Sequence, residues 1–212
     1  MNAEKNTPLI IASQNNRLEL VKYLISVGAD KEAKNNYGNT PLICASFSGN
    51  LEVVKYLISV GADKEAEDNY ENTPLLFASL NGNLEVIKYL ISVGADKEAR
   101  DYNENTPLLF ASLNGNLEIV KYLISVGANI EAKDKTGGTP PIWASKNGKL
   151  ESVKYLISVG ADKEAKDNYG NTPLSYAKSY GHNEVIKYLT SMGANQNVTN
   201  KSRGIAIIIK PF

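Results

Sequence analysis

The sequence predicts an all-α repeat solenoid, a prediction that rests on one recurring triplet and two recurring helix patterns. Thr-Pro-Leu or its variant Thr-Pro-Pro begins at residues 7, 40, 73, 106, 139 and 172, and each copy follows the previous one by 33 residues. A fixed period of this length is typical of stacked repeat proteins, in which each unit packs mainly against its neighbours. We therefore expect one elongated array of helical units rather than a single enlarged core.

The second unit shows how each unit begins. Residues 35–39 are polar and include Gly38, which reaches positive φ without steric cost and so favours a tight turn. Thr40 can cap a helix with its side-chain oxygen, and Pro41 suits the first helical position because its missing N–H would have no partner there. The sequence predicts a short first helix over residues 41–48.

A longer second helix is predicted over residues 51–60. Its apolar residues Leu51, Val54, Leu57 and Ile58 recur at the spacing that places them on one face. Asn50 precedes this helix, and we expect its side chain to act as the N-cap. Neither helix can bury its apolar face alone, so the units must stack.

The period divides the chain into an array over residues 1–197 and a tail. The predicted units lie near residues 2–34, 35–67, 68–100, 101–133, 134–166 and 167–197. Residues 198–212 are in phase with a truncated seventh unit, or they form a C-terminal capping tail. In that tail, the apolar run 205–209 either folds back on the sixth unit or pairs with another chain.

Three motifs recur at the same positions in nearly every unit. They are the TPLxxA start, as in Thr40-Pro41-Leu42 with Ala45, the LExVKYL second helix, and the GAD that follows it. In these motifs and in period the chain resembles the ankyrin repeat family. The resemblance implies stacked helix-turn-helix units with short β-hairpin fingers at the unit boundaries, in a left-handed and gently curved stack.

The chain departs from that family pattern at several positions. The histidine that follows TPL in the family is replaced, by an apolar residue in five of the six units. Glu71 and Glu104 stand where other units carry the turn glycine, and positive φ there would cost each about 1 kcal/mol. Pro141 replaces leucine in the fifth unit, which we expect to be the weakest joint of the stack.

Composition argues against several function classes. The chain carries 23 Lys+Arg and 23 Asp+Glu, so its zero net charge gives no support for binding nucleic acid or anionic lipid. The longest apolar run, residues 205–209, is far too short for a membrane span. Cys44 is the one cysteine and cannot form an intrachain disulfide, which fits a reducing compartment. We expect a cytoplasmic protein, with the nucleus as the open alternative.

No constellation in the sequence points to catalysis. The single histidine, His182, lies in a predicted loop, and Cys44 has no histidine near it in sequence. We found no phosphate loop, dinucleotide fingerprint or Cys/His metal cluster, so the sequence predicts no enzyme, no cofactor and no metal. An enzyme remains an alternative only if a pocket surrounds a reactive Cys44.

Residues that differ between units gather on the surface that lines the concave side of ankyrin-like proteins. They occupy the tips of the predicted fingers and the exposed part of the first helices, and many are aromatic. The predicted partner-binding residues are Tyr37, Phe47, Tyr70, Phe77, Leu80, Tyr102, Phe110, Leu113, Trp143, Lys146, Tyr169, Tyr176 and Tyr180. Phe77 and Phe110 could equally belong to the core, whereas we expect partial exposure of Trp143 and exposure of the fingertip tyrosines.

The sequence therefore predicts a protein-protein interaction scaffold that holds an unknown protein or peptide in a concave groove. The alternative is a structural or self-assembling segment of a larger ankyrin array that has no dedicated groove partner. We expect a monomer, with self-association through the tail as the alternative.

Overall fold

The computed structural model describes residues 5–195, and within that part of the chain it contains twelve α-helices. Each unit contributes a first and a second helix. The helices are α1 (Pro8–Gln14), α2 (Leu18–Ser26), α3 (Pro41–Phe47), α4 (Leu51–Ser59), α5 (Pro74–Asn81), α6 (Leu84–Ser92), α7 (Pro107–Asn114), α8 (Leu117–Ser125), α9 (Pro140–Lys146), α10 (Leu150–Ser158), α11 (Pro173–Tyr180) and α12 (Asn183–Ser191). The prediction for the tail, residues 198–212, lies outside the described residues.

Threonine caps begin the first helices, as the sequence predicts. In five of the six, the threonine Oγ1 accepts a hydrogen bond from the backbone N–H three residues later, as Thr40 does from Ile43 at 3.3 Å. Thr139, which precedes the Pro140-Pro141 pair, makes no such bond, and its buried Oγ1 has no partner among the described residues. The fifth unit therefore lacks the side-chain cap that the other five first helices have.

The side chain of Asn50 does not cap α4, so that prediction is wrong. Its amide instead donates to the carbonyl oxygens of Ser13 and Gln14 at 2.8 and 2.9 Å, at the end of the previous first helix. Asn83 makes the equivalent pair of bonds one unit later. The last carbonyls of a helix lack intrahelical partners, so these amides satisfy them and join successive units.

Stacked first helices form the continuous apolar core. Each packs against the first helix of the next unit and against the second helix of its own unit. Leu42, Val54 and Leu57 are fully buried there, as are most of their counterparts, whereas Leu24 in the first unit and Ile186 in the sixth are partly buried. The second-helix tyrosines from Tyr56 to Tyr188 are half-buried against this core, whereas their counterpart in the first unit, Tyr23, is 61% exposed.

The turns that precede the first helices are closed by side chains. Asp68 Oδ1 accepts hydrogen bonds from the backbone N–H groups of Tyr70 and Asn72, both at 2.8 Å. Successive turns share one backbone hydrogen bond, for example from Asn69 N to Tyr37 O at 2.9 Å. Within residues 5–195 no strand forms, so the β-hairpin fingers implied by the family resemblance are not confirmed.

Acidic side chains in the return segments link each unit to the next. Glu32 Oε1 accepts from Asp63 N, and Glu65 Oε1 accepts from Asp96 N, both at 3.0 Å. Burial raises the pKa of Glu65, while its hydrogen bond from the Asp96 backbone works against that rise. These carboxylates therefore have a structural role at the unit boundaries.

Candidate functional site

The fingertips and the exposed ends of the first helices form one surface, which we call the groove. Six aromatic side chains on it are exposed, from 37% for Tyr37 to 57% for Tyr102. They are Tyr37, Phe47, Tyr70, Tyr102, Tyr169 and Tyr180. The exposure predicted for the fingertip tyrosines is therefore present in the structure.

Below this exposed row lie the remaining predicted site residues. Leu80, Leu113, Lys146 and Tyr176 are half-buried, and so is Trp143, as expected. Phe77 and Phe110 are only 5% and 7% exposed. Both phenylalanines therefore belong to the core rather than the surface, because each packs beside the first helix of the neighbouring unit. They form the floor of the groove.

Near the N-terminal end, the groove contains a pocket of about 120 Å³ with aromatic side chains on one part of its lining and polar ones, such as Asn39 and Asp68, on the other. Tyr37, Cys44, Phe47, Tyr70 and Phe77 contribute to its lining. The rings of Phe47 and Phe77 meet edge to face, with centroids 5.7 Å apart and an interplanar angle of 73°. This geometry is favourable for aromatic pairs and holds the exposed Phe47 ring in place.

A second pocket of about 120 Å³ lies between the fourth and fifth units. Phe110, Leu113, Lys135 and Trp143 contribute to its lining. The Lys135 ammonium lies 3.7 Å from the centroid of the Tyr102 ring, within the range of a cation–π contact. The lining of this pocket thus includes the cation of Lys135 and the buried carboxylate of Asp134, whereas the N-terminal pocket has one charged lining residue, Asp68.

Sequence reasoning missed the column of buried carboxylates behind the aromatic side chains. Asp134 Oδ2 accepts from the indole N–H of Trp143 at 2.8 Å, and Asp167 Oδ2 accepts from the Tyr176 hydroxyl at 2.7 Å. Burial, followed by the hydrogen bond to Asp167, raises the pKa of Tyr176 far above its ordinary value. Asp recurs five residues before the threonine in the last four units, and this was the signal that could have revealed the column.

Lys146 lies among three aromatic rings at the boundary of the fifth and sixth units. Its Nζ is 4.5 Å from the centroid of the Trp143 ring, 5.3 Å from that of Tyr176 and 6.0 Å from that of Tyr180. Burial lowers the pKa of the Lys146 ammonium, and the charges of Asp134 and Asp167 act in the opposite direction. The Lys146 side chain is thus half-buried among these rings.

The histidine and cysteine have structural surroundings. His182 Nε2 lies 2.9 Å from the carbonyl oxygen of Lys146, at the position where Asn50 and Asn83 join earlier units. Cys44 is buried in the wall of the N-terminal pocket. Between residues 5 and 195, no group of three or more His, Cys, Asp or Glu side chains could hold a metal ion. Over the same residues, no helix is long and apolar enough to cross a membrane.

Comparison with known families agrees with this architecture. The family model described as "Ankyrin repeats (3 copies)" matches residues 1–68, 61–134 and 127–200. The chain belongs to the ankyrin repeat family. A search of curated proteins finds no significant match. Ankyrin repeats generally act as protein-protein interaction modules.

Proposed function

We propose that this ankyrin array binds a protein or peptide in the groove and presents it on a rigid scaffold. The proposal rests on the row of exposed aromatic side chains in the groove. The second-helix face, in contrast, has almost the same sequence in every unit. Tyrosine and tryptophan dominate the binding energy of many interfaces because they bury large areas at low entropic cost. A groove with several of them offers anchors along its whole length.

The second-helix surface supports this assignment by contrast. Its charged side chains form the same pair in every unit, such as Lys88 Nζ with Glu85 Oε1 at 2.8 Å. Exposed pairs of this kind contribute little to binding or stability. Sequence differences between units are concentrated in the groove, where a partner could contact the side chains that differ.

Alanine substitution provides the test. Peptides are first selected on the intact chain from a displayed random library. Their affinity is then measured for Tyr70→Ala, Tyr102→Ala and Trp143→Ala, with Lys88→Ala as the matched change on the second-helix face. We expect each groove variant to weaken binding by about 1 kcal/mol or more, and Lys88→Ala to leave it unchanged. Thermal unfolding of each variant shows whether weaker binding reflects lost contacts or a loss of the folded state.

A result in which Lys88→Ala weakens binding more than the groove variants would overturn the assignment. So would the recovery of no binding peptides from the library.

Self-association is a second candidate, supported by the exposed apolar residues of α2 and of its C-cap, Val27. Leu20, Tyr23 and Val27 are each about half exposed or more. We propose this face as the contact if the chain assembles. Light scattering across concentration tests it: growth in particle size that Leu20→Asp abolishes supports assembly, and a constant size contradicts it.

A further inference from the structure

We propose that the peptide that fits the groove carries an apolar side chain for the pocket of the second and third units and a carboxylate for Lys135 and Lys146 of the fifth unit. This inference rests on the proposed function and specifies the chemistry of its partner. It follows from the uneven distribution of charge along the groove.

The apolar requirement comes from the N-terminal pocket. Phe47, Phe77 and Tyr70 face a cavity of about 120 Å³, a volume suited to one aliphatic or aromatic side chain. The edge-to-face contact between Phe47 and Phe77 fixes the pocket wall before a partner arrives. Because the pocket side chains then lose little conformational entropy on binding, burial of apolar area there contributes more to affinity.

The anionic requirement comes from the fifth unit. Lys135 and Lys146 each rest on aromatic rings, and neither ammonium makes a hydrogen bond or an ion pair with any of residues 5–195. An ammonium has three N–H donors to satisfy. Burial has already removed part of the water around Lys146, so a partner carboxylate would meet less resistance from desolvation there.

The nearby acidic groups Asp134 and Asp167 act on Lys146 through their charge, but their oxygens already accept hydrogen bonds from other donors. Asp134 and Asp167 are each only 7% exposed. Asp134 Oδ1 accepts hydrogen bonds from Thr136 and Gly138, and its Oδ2 accepts from Trp143. These carboxylates are directed into the turns, so the face presented to a partner is cationic. Charge complementarity therefore favours an acidic group over a basic one at this end.

Two exposed fingertips are acidic, and one of them, Glu104, shares its turn with Tyr102, the ring that Lys135 contacts. Glu71 and Glu104 belong to the third and fourth units, and the Glu104 carboxylate is 3.5 Å from the guanidinium of Arg100. A uniformly acidic peptide would be repelled near Glu71. The groove thus favours a peptide with apolar character at one end and negative charge at the other.

The test uses the full chain and peptides selected on it from a displayed random library. We expect the selected sequences to be enriched in aspartate or glutamate together with an apolar residue. The double variant Lys135→Gln/Lys146→Gln should bind them about tenfold more weakly, because it removes charge-assisted hydrogen bonds. The matched variant Lys88→Gln/Lys121→Gln, which removes two charges from the second-helix face, should not change the affinity. Added salt should weaken binding to the unmodified chain more than to the groove variant.

Three outcomes would overturn the proposal. Selected peptides without acidic enrichment, or with equal affinity for the Lys135→Gln/Lys146→Gln variant, would leave groove binding intact but refute the anionic requirement. Enrichment in lysine or arginine would show that the aromatic rings of the fifth unit receive a partner cation in place of Lys146. The absence of any binding peptide would overturn this inference and the proposed function together.

Discussion

Trp143 Nε1 donates a 2.8 Å hydrogen bond to Asp134 Oδ2, and this bond replaces one that an asparagine makes in the preceding unit. There, Asn105 Nδ2 donates to Asp101 Oδ2 at 2.9 Å, and Phe110 occupies the position that corresponds to Trp143. The fifth unit has Gly138 in place of that asparagine. A Cβ on Gly138 would lie 2.7 Å from Trp143 Nε1, so the indole occupies the space of the missing side chain.

This exchange predicts a strong coupling between positions 138 and 143. Trp143→Phe should lower the free energy of unfolding by about 2 kcal/mol, because Asp134 Oδ2 loses its donor. Gly138→Asn alone should also destabilise, because the new side chain meets the indole. The double variant should recover much of the loss, since it rebuilds the arrangement of the fourth unit. Urea unfolding of all four proteins measures the coupling, and purely additive effects would contradict the account.

Asp101 gives a prediction about pH. Burial is the main cause that raises the pKa of its carboxyl group above 3.8. The hydrogen bonds that Asn105 and Asn103 donate to this group lower the pKa but do not cancel the rise. The folded state therefore holds this proton more tightly than the unfolded state, and the contribution of Asp101 to stability falls as pH rises through the window between the two pKa values. Asn35 fills the same turn position in the second unit, accepting from Tyr37 N and Asn39 N.

Asp101→Asn should therefore fold normally and remove that dependence. The free energy of unfolding of the variant should exceed that of the unmodified chain by most near neutral pH. This difference should shrink as pH falls through the pKa of folded Asp101. Chemical denaturation across acidic pH measures the difference. An advantage that grows toward low pH would contradict the assignment.

Two fingertip glutamates hold a strained backbone. Glu71 and Glu104 have φ of 63° and 61°, as predicted from their place in the repeat. Glu71→Gly should raise the free energy of unfolding by about 1 kcal/mol, because glycine adopts this conformation without strain. Urea unfolding measures this change in free energy. A loss of stability would show that the Glu71 carboxylate stabilises the fold by more than the backbone strain destabilises it.

The reverse substitution at Gly38 should be far more harmful. A Cβ there would lie 2.6 Å from Asn69 Oδ1 and 2.7 Å from Asn69 N. Asn69 follows Gly38 by 31 residues, and the residue at the same distance after Glu71 is Tyr102, so no such asparagine lies against Glu71. Gly38→Glu should therefore destabilise the chain by more than Glu71→Gly stabilises it, and equal and opposite effects would contradict this explanation.

His182 joins the sixth unit to the fifth through the carbonyl oxygen of Lys146. Because a carbonyl can only accept, Nε2 must carry the proton in this contact. His182→Ala should lower stability by about 1 kcal/mol, whereas His182→Asn should retain most of it, since Asn50 and Asn83 make the same kind of link. Thermal unfolding of the two variants makes the comparison. Equal losses for both would mean that the ring contributes by packing instead.

Much of the fold follows directly from the period of the sequence. The predicted helix over residues 41–48 is observed as Pro41–Phe47, and the one over residues 51–60 as Leu51–Ser59. These predictions work because capping and apolar spacing are local properties. The role of Asn50 was not predictable in the same way, because its partners Ser13 and Gln14 belong to the previous unit.

The candidate site was predictable only in part. Exposure of the fingertip residues Tyr70 and Tyr102 follows from their place in polar turns. The burial of Phe77 depends on the neighbouring first helix, which the sequence of one unit does not specify. The bond between Trp143 and Asp134 depends on an absent side chain at Gly138, and such a compensation becomes visible only in three dimensions.

Hydroxyl-radical footprinting with a selected peptide tests groove binding most directly, because the chain contains two sets of tyrosines on different faces. The groove set is Tyr37, Tyr70, Tyr102 and Tyr169, and the second-helix set is Tyr56, Tyr89, Tyr122 and Tyr155. Bound peptide should protect tyrosines of the groove set from oxidation and leave the second-helix set unchanged. Protection of the second-helix set, with the groove set still fully reactive, would contradict the account.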